Sequence, residues 1–171
     1  MILQFEKLHK IKRQTPKEGD IFVIDLIKRS SHAYKPDSES FINKEGKYGF
    51  GRILDINAST GVIVEIFNYV GEFNNNIDFI IAQDRMFNPI NVTSLCFTSS
   101  RWKIIKSDKD FNKQSVGFNE IKLVMGIAPN LKLWQDGVTT PLTEKEASGI
   151  ERYVTYFPNN VEERILDTFK E

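Results

Sequence analysis

The chain has 171 residues, 40% apolar and 27% charged, which suits one soluble globular domain spanning 1–171. Its 23 basic and 23 acidic residues cancel, which argues against a dedicated duplex nucleic-acid binder, whose affinity needs a basic footprint. One cysteine, Cys96, rules out an internal disulfide framework and suits a reducing compartment. Glu6, Lys7 and Lys10 interrupt the apolar residues of the N-terminal stretch, and no later run reaches membrane-spanning length. A cytoplasmic protein with no membrane association is expected. The Asn-X-Ser/Thr triplets at Asn57 and Asn91 then carry no glycosylation signal.

In chain order, Phe5, Leu8 and Ile11 fit either a short helix or an irregular lead-in. A turn at Pro16–Asp20 leads into IFVIDLI, Ile21–Ile27, a strand apolar enough to be covered on both faces. The polar segment from Arg29 to Glu45, broken by Pro36, reads as a loop or insertion. A second strand, Lys47–Ile56, and a third beginning at Gly61 flank the turn Asn57–Gly61 and form an antiparallel hairpin. Beyond an asparagine-rich turn, DFIIA, INVTSLCFTS and SRWKIIK are expected as strands. Asp108–Asn119 is polar and weakly patterned. EIKLVMGIA and LKLWQDG follow as short strands, with Asp136-Gly137 a hairpin turn. Thr143 and Glu146 have capping-box spacing for a short helix. A last helix is expected with Asn160 as its cap and Val161, Ile165, Leu166 and Phe169 as its apolar stripe. The predicted fold is α+β: a β-dominated domain, with a curled antiparallel sheet or partly open barrel and a C-terminal helix.

The stretch KYGFGRIL, Lys47–Leu54, tests whether the chain carries a phosphate loop. A phosphate cradle places its glycines between a strand and a helix, whose N-terminus faces the anion. Here a strand follows, and no third glycine stands at dinucleotide spacing. In a strand, Gly49 and Gly51 share one face while Tyr48, Phe50 and Arg52 share the other. The glycines then admit a close neighbour or a bend. The opposite face is either core or a small aromatic and basic surface.

Catalytic residue types are scarce. His9, His32 and Cys96 show no zinc spacing, and Cys96 lies in an apolar pattern typical of an inert thiol. Asp20, Asp25, Asp55 and Glu65 alternate along strands and could meet across a sheet, where acid–base work would require one raised pKa. No metal site and no cofactor are expected. Trp102 and Trp134 are either core residues or, if exposed, anchors for a partner.

As an ordered set, Gly19-Asp20-Ile21-Phe22, then Tyr48-Gly49-Phe50-Gly51-Arg52, then an apolar strand, resemble the immunity protein 26 family of bacterial polymorphic toxin systems. The resemblance runs through the first half to two thirds of the chain, fades beyond Asn119, and departs from the family pattern in the long Arg29–Glu45 segment. It implies a non-enzymatic cytoplasmic protein that binds and neutralises a cognate protein toxin. The structural motif is then Gly19, Asp20, Phe22, Gly49 and Gly51. Candidate binding residues are Tyr48, Phe50, Arg52, Trp102 and Trp134. The alternative is a small β-barrel module that binds nucleic acid or another ligand through the aromatic and basic strand face; neutral net charge makes nucleic acid the lesser choice.

Overall fold

The computed structural model describes residues 4–26, 41 and 45–169. His32 and most of the Arg29–Glu45 segment lie outside the described residues. A short helix α1 (Phe5–Leu8) precedes β1 (Ile21–Asp25), whose five residues are all buried, as its unbroken apolar pattern implies. β2 (Tyr48–Asn57) and β3 (Gly61–Gly71) form the long hairpin expected from the sequence.

Two predicted strands are corrected. DFIIA lies in a helix, α2 (Ile77–Ile81), because the Asn76 side chain accepts the Phe79 N–H and caps it. Its buried residues, Ile77 and Ile80, are three apart, a helical rather than a strand period. INVTSLCFTS splits into β4 (Ile90–Val92) and a helix, α3 (Leu95–Thr98), that buries Cys96 and Phe97. The Thr93 hydroxyl accepting the Leu95 N–H sits at the break.

β5 (Lys103–Lys106) follows, then two short 3-10 turns across Lys113–Glu120, the weakly patterned region. β6 (Lys122–Met125), β7 (Lys132–Gln135) and β8 (Val138–Pro141) complete a second, three-stranded sheet. Asp136 and Gly137, at φ 49° and 79°, make the left-handed turn between β7 and β8. The capping box opens α4 (Glu144–Ala147), with Glu146 bonded to Thr143. After β9 (Thr155–Tyr156) comes α5 (Pro158–Thr168). It begins three residues earlier than a cap at Asn160 implies: Pro158 takes the first turn, and Asn160 Oδ1 accepts the Phe157 N–H at 3.3 Å.

The larger sheet has the order β5-β1-β2-β3-β4-β9, antiparallel except for the parallel β4–β9 pair. It is an open ladder, with β5 and β9 as its ends. The β5 edge is covered by Gln14, whose amide donates to the Trp102 carbonyl and accepts from the Ile104 N–H, as a neighbouring strand would. One face of the sheet packs on α3 and α5 through Phe22, Ile53, Trp102, Val161 and Ile165. The other packs on α1 and α2 through Val23, Tyr48, Phe50 and Phe67. Leu54 and Ile63, at the far end of the hairpin, meet Phe118, Leu123 and Trp134 and join the two sheets.

The two glycines of GFGR differ in what surrounds them. Gly51 pairs with Phe22 across β1–β2. A methyl group on Gly51 would lie under 3.0 Å from the Phe22 ring and the Glu65 carbonyl oxygen. At Gly49 the same methyl would find Leu26 at 3.5 Å and Ile165 at 3.7 Å, ordinary contact distances. Gly51→Ala is therefore expected to cost about 1–3 kcal/mol through overpacking. Gly49→Ala should change stability by less than about 1 kcal/mol. Urea unfolding of both variants measures the difference, and equal losses would refute this assignment.

Glu151 ties the β9 approach to α5 through paired bonds from Arg164, and it also accepts from the Tyr156 hydroxyl. Burial opposes ionisation of Glu151, but these bonds and the Arg164 charge outweigh it and hold the carboxyl below its ordinary 4.5. A depressed folded-state pKa adds stability that is complete above the unfolded value and lost as pH falls through the folded one. Arg164→Ala should lower Tm at pH 7, with the gap to the parent narrowing as pH drops below about 4. Thermal melts across that range check the sign.

Candidate functional site

The face carrying Tyr48, Phe50 and Arg52 alternates against the glycine face, as a strand requires, and it points into the protein. Tyr48 and Phe50 are 1% and 0% exposed. Tyr48 stacks near Phe41 and Phe5, and its hydroxyl pKa is pushed up by burial and by the nearby Asp25 carboxylate. Phe50 packs with Tyr69 and Phe73.

Arg52 forms the first arm of a buried ion triad. Glu65, 2% exposed, receives Arg52 Nε at 2.6 Å on one oxygen and Arg85 Nε at 2.6 Å on the other. The Arg52 guanidinium also lies between the rings of Phe67 and Phe111, at 5.6 and 5.2 Å. Arg85 reaches onward to the Val116 carbonyl and fastens the irregular segment to the sheet. The arginine of the motif is thus a clamp between strands, and the aromatic and basic surface considered from the sequence is interior.

Trp102 is fully buried on the opposite side. It stacks on Phe22 at 5.3 Å and donates its indole N–H to Glu162, which Arg101 also binds. The acidic C-terminal helix accordingly turns Glu162 inward and leaves Glu163 and Asp167 exposed. Gly19, at φ 84°, faces Phe111, and Asp20 accepts the Lys17 N–H; together they form the turn that enters β1. Burial raises the Asp20 carboxyl pKa against those bonds.

The carboxylates do not meet across the sheet. Asp25 accepts the Phe41 N–H, Glu65 holds its two arginines, and Asp55 binds Lys113 Nζ at 2.5 Å. Cys96 is 0% exposed, and burial and the Glu162 charge push its thiol well above the ordinary range, the reverse of what a nucleophile needs. Among the described residues, no group of three or more His, Cys, Asp or Glu side chains is placed to hold a metal ion.

Of the candidate binding residues, Trp134 lines a recess. A cleft of about 210 Å³ opens where the tip of the β2–β3 hairpin meets the β7–β8 turn. Its walls are Trp134, Tyr153 and Phe118, and its charges are Asp55, Lys113 and Asp136. Trp134 lies 5.3 Å from Tyr153 and 6.0 Å from Phe118. Although burial opposes its charge, Lys113 is held above its ordinary pKa by Asp55 and Glu18. Trp134, Asp55 and the Asp136 turn each stand out in the sequence, but no sequence pattern shows that they converge. Lys113 stands 58 positions from Asp55, and no local pattern links them.

The triad gives a direct test of the structural role of Arg52. Glu65→Gln leaves two guanidinium groups without their shared carboxylate and should cost about 3 kcal/mol. A urea midpoint within error of the parent would remove the clamp from the argument.

Among families of known proteins, the model of immunity protein 26 matches residues 17–132, about two thirds of the chain. Neither the curated proteins nor the solved structures give a significant match. The matched span runs from the turn before β1 to the start of β7 and includes the hairpin, the glycine contact and the ion triad. The chain belongs to the immunity protein 26 family, a family of polymorphic-toxin immunity proteins.

Proposed function

We propose that this protein, acting as one unit over 1–171 in the cytoplasm, binds a cognate bacterial protein toxin and neutralises it without catalysis. The observation that carries the reading is the family match across residues 17–132. The chemistry agrees with it: the lone thiol is buried with a raised pKa, and the strand carboxylates are each engaged by a structural donor. Neutralisation by binding needs only a shaped surface that covers the toxin's active site or a region beside it. Such a surface works best as a desolvated aromatic centre with a polar rim. Loops and turns projecting from a rigid sheet can vary to match a partner without altering the core.

No observation favours the alternative module binding through Tyr48, Phe50 and Arg52. That face is packed against α1, α2 and the Phe111 segment. Among the described residues, no helix is long and apolar enough to cross a membrane.

Co-expression with the product of the adjacent upstream gene tests the reading. A stoichiometric complex on pull-down, together with rescued growth of the toxin-expressing host, is the expected result. Absence of both the complex and the rescue would overturn immunity toward that neighbour.

A further inference from the structure

The cleft beside Trp134 has an excess of negative charge and an aromatic lining. Two carboxylates, Asp55 and Asp136, line it with one ammonium, Lys113, which Glu18 binds from outside the lining. That ammonium is already engaged, bonded to Asp55 at 2.5 Å and Glu18 at 3.3 Å and seated 4.7 Å over the Phe118 ring. Asp136 differs from the rest: at the exposed turn it forms no hydrogen bond or ion pair with any described residue. A hairpin turn of this type is satisfied by asparagine or glycine, so the carboxylate charge is not required by the local backbone. The volume corresponds to about seven waters, room for one long side chain and too little for a helix or strand.

Beside the cleft, all four residues of β8 are exposed, and Val138 is 63% exposed. β8 is also the open edge of its sheet. The recess therefore sits next to a bank along which a partner's backbone can lie.

We propose that this cleft seats a basic side chain of the toxin, an arginine above all, with its guanidinium between Asp136 and the Trp134–Tyr153 walls. The proposal rests on the immunity reading. Arginine fits better than lysine because its planar group stacks on aromatic faces and is more weakly hydrated. A neutral or acidic side chain would leave the Asp136 charge without a partner as the toxin covers it, so the cleft also discriminates between toxins.

Two measurements test this. In the first, N-acetyl-arginine amide is titrated into the protein while the two tryptophan indole N–H resonances are followed by NMR. The neutral citrulline analogue serves as control. The Trp134 signal should move with the arginine compound and not with citrulline, and Asp136→Asn should abolish the shift. Trp102, whose indole is bonded to Glu162 at 3.0 Å, provides the internal reference. In the second, binding of the cognate toxin is compared for the parent, Asp136→Asn and Asp136→Lys, with unchanged melts confirming the fold of each. Several-fold weakening by Asn and more than tenfold by Lys are expected.

An arginine titration without a selective Trp134 shift overturns the proposal. A toxin complex indifferent to both substitutions also overturns it and leaves the immunity reading intact. If the parent binds no toxin yet still binds the arginine compound through Asp136, the immunity reading falls and the cation seat is retained.

Discussion

The architecture turns on a missing side chain. Because Gly51 has no Cβ, the Phe22 ring can lie directly on the β2 backbone. Trp102 stacks on Phe22 with an interplanar angle of 8°, and Phe97 meets both rings edge-on. Three aromatic residues from β1, α3 and the lead-in to β5 thereby fill one side of the sheet and leave a groove for Val161 and Ile165 of α5. A side chain at Gly51 would lift Phe22, and the stack above it would have to follow, because interiors are packed without slack. The cross-strand pairing of an aromatic with a glycine also restores packing that a glycine in a strand would otherwise lose.

Electrostatics completes the same frame. Glu65, Glu162 and Glu151 each bind arginine, and each joins segments distant in sequence: two strands and a loop, a loop and α5, and the β9 approach and α5. Such pairs add little net stability over apolar residues of like size, but losing one partner leaves a charge stranded in low dielectric. They act as fasteners that fix which surfaces meet. The consequence for function is that most of the conspicuous charged and aromatic residues are internal. Turns, the outer faces of the helices and the β8 edge remain exposed, and they can change without disturbing the stack.

How much was legible varied with how local the signal was. β1 and the β2–β3 hairpin have periodicity and turn residues within a few positions of each other, and both were read correctly. The alternation of Tyr48, Phe50 and Arg52 against the glycines was also read correctly, because strand geometry fixes it. DFIIA was misread: a short apolar run fits either period, and the arbiter was the Asn76 cap outside it. The segment after β4 was misread for a similar reason, with a Thr-Ser break ending one element and starting another. Among the candidate binding residues, aromatic character gave no guide to exposure. Trp102 and Trp134 look alike in sequence, yet one is sealed beneath α5 and the other borders a cleft.

The sequence by itself determined the elements set by short-range rules, the α+β class, the family motif and the poverty of catalytic residue types. Only the tertiary structure decided that both faces of β2 are interior, that Arg52 is a clamp held by Glu65 and the two rings, and that Asp55, Lys113, Trp134 and Asp136 share one recess. The reason is range. Period, capping and turn preference act across a few residues, whereas the burial of a charge depends on partners tens of positions away, brought near only when the sheets and helices close on one another.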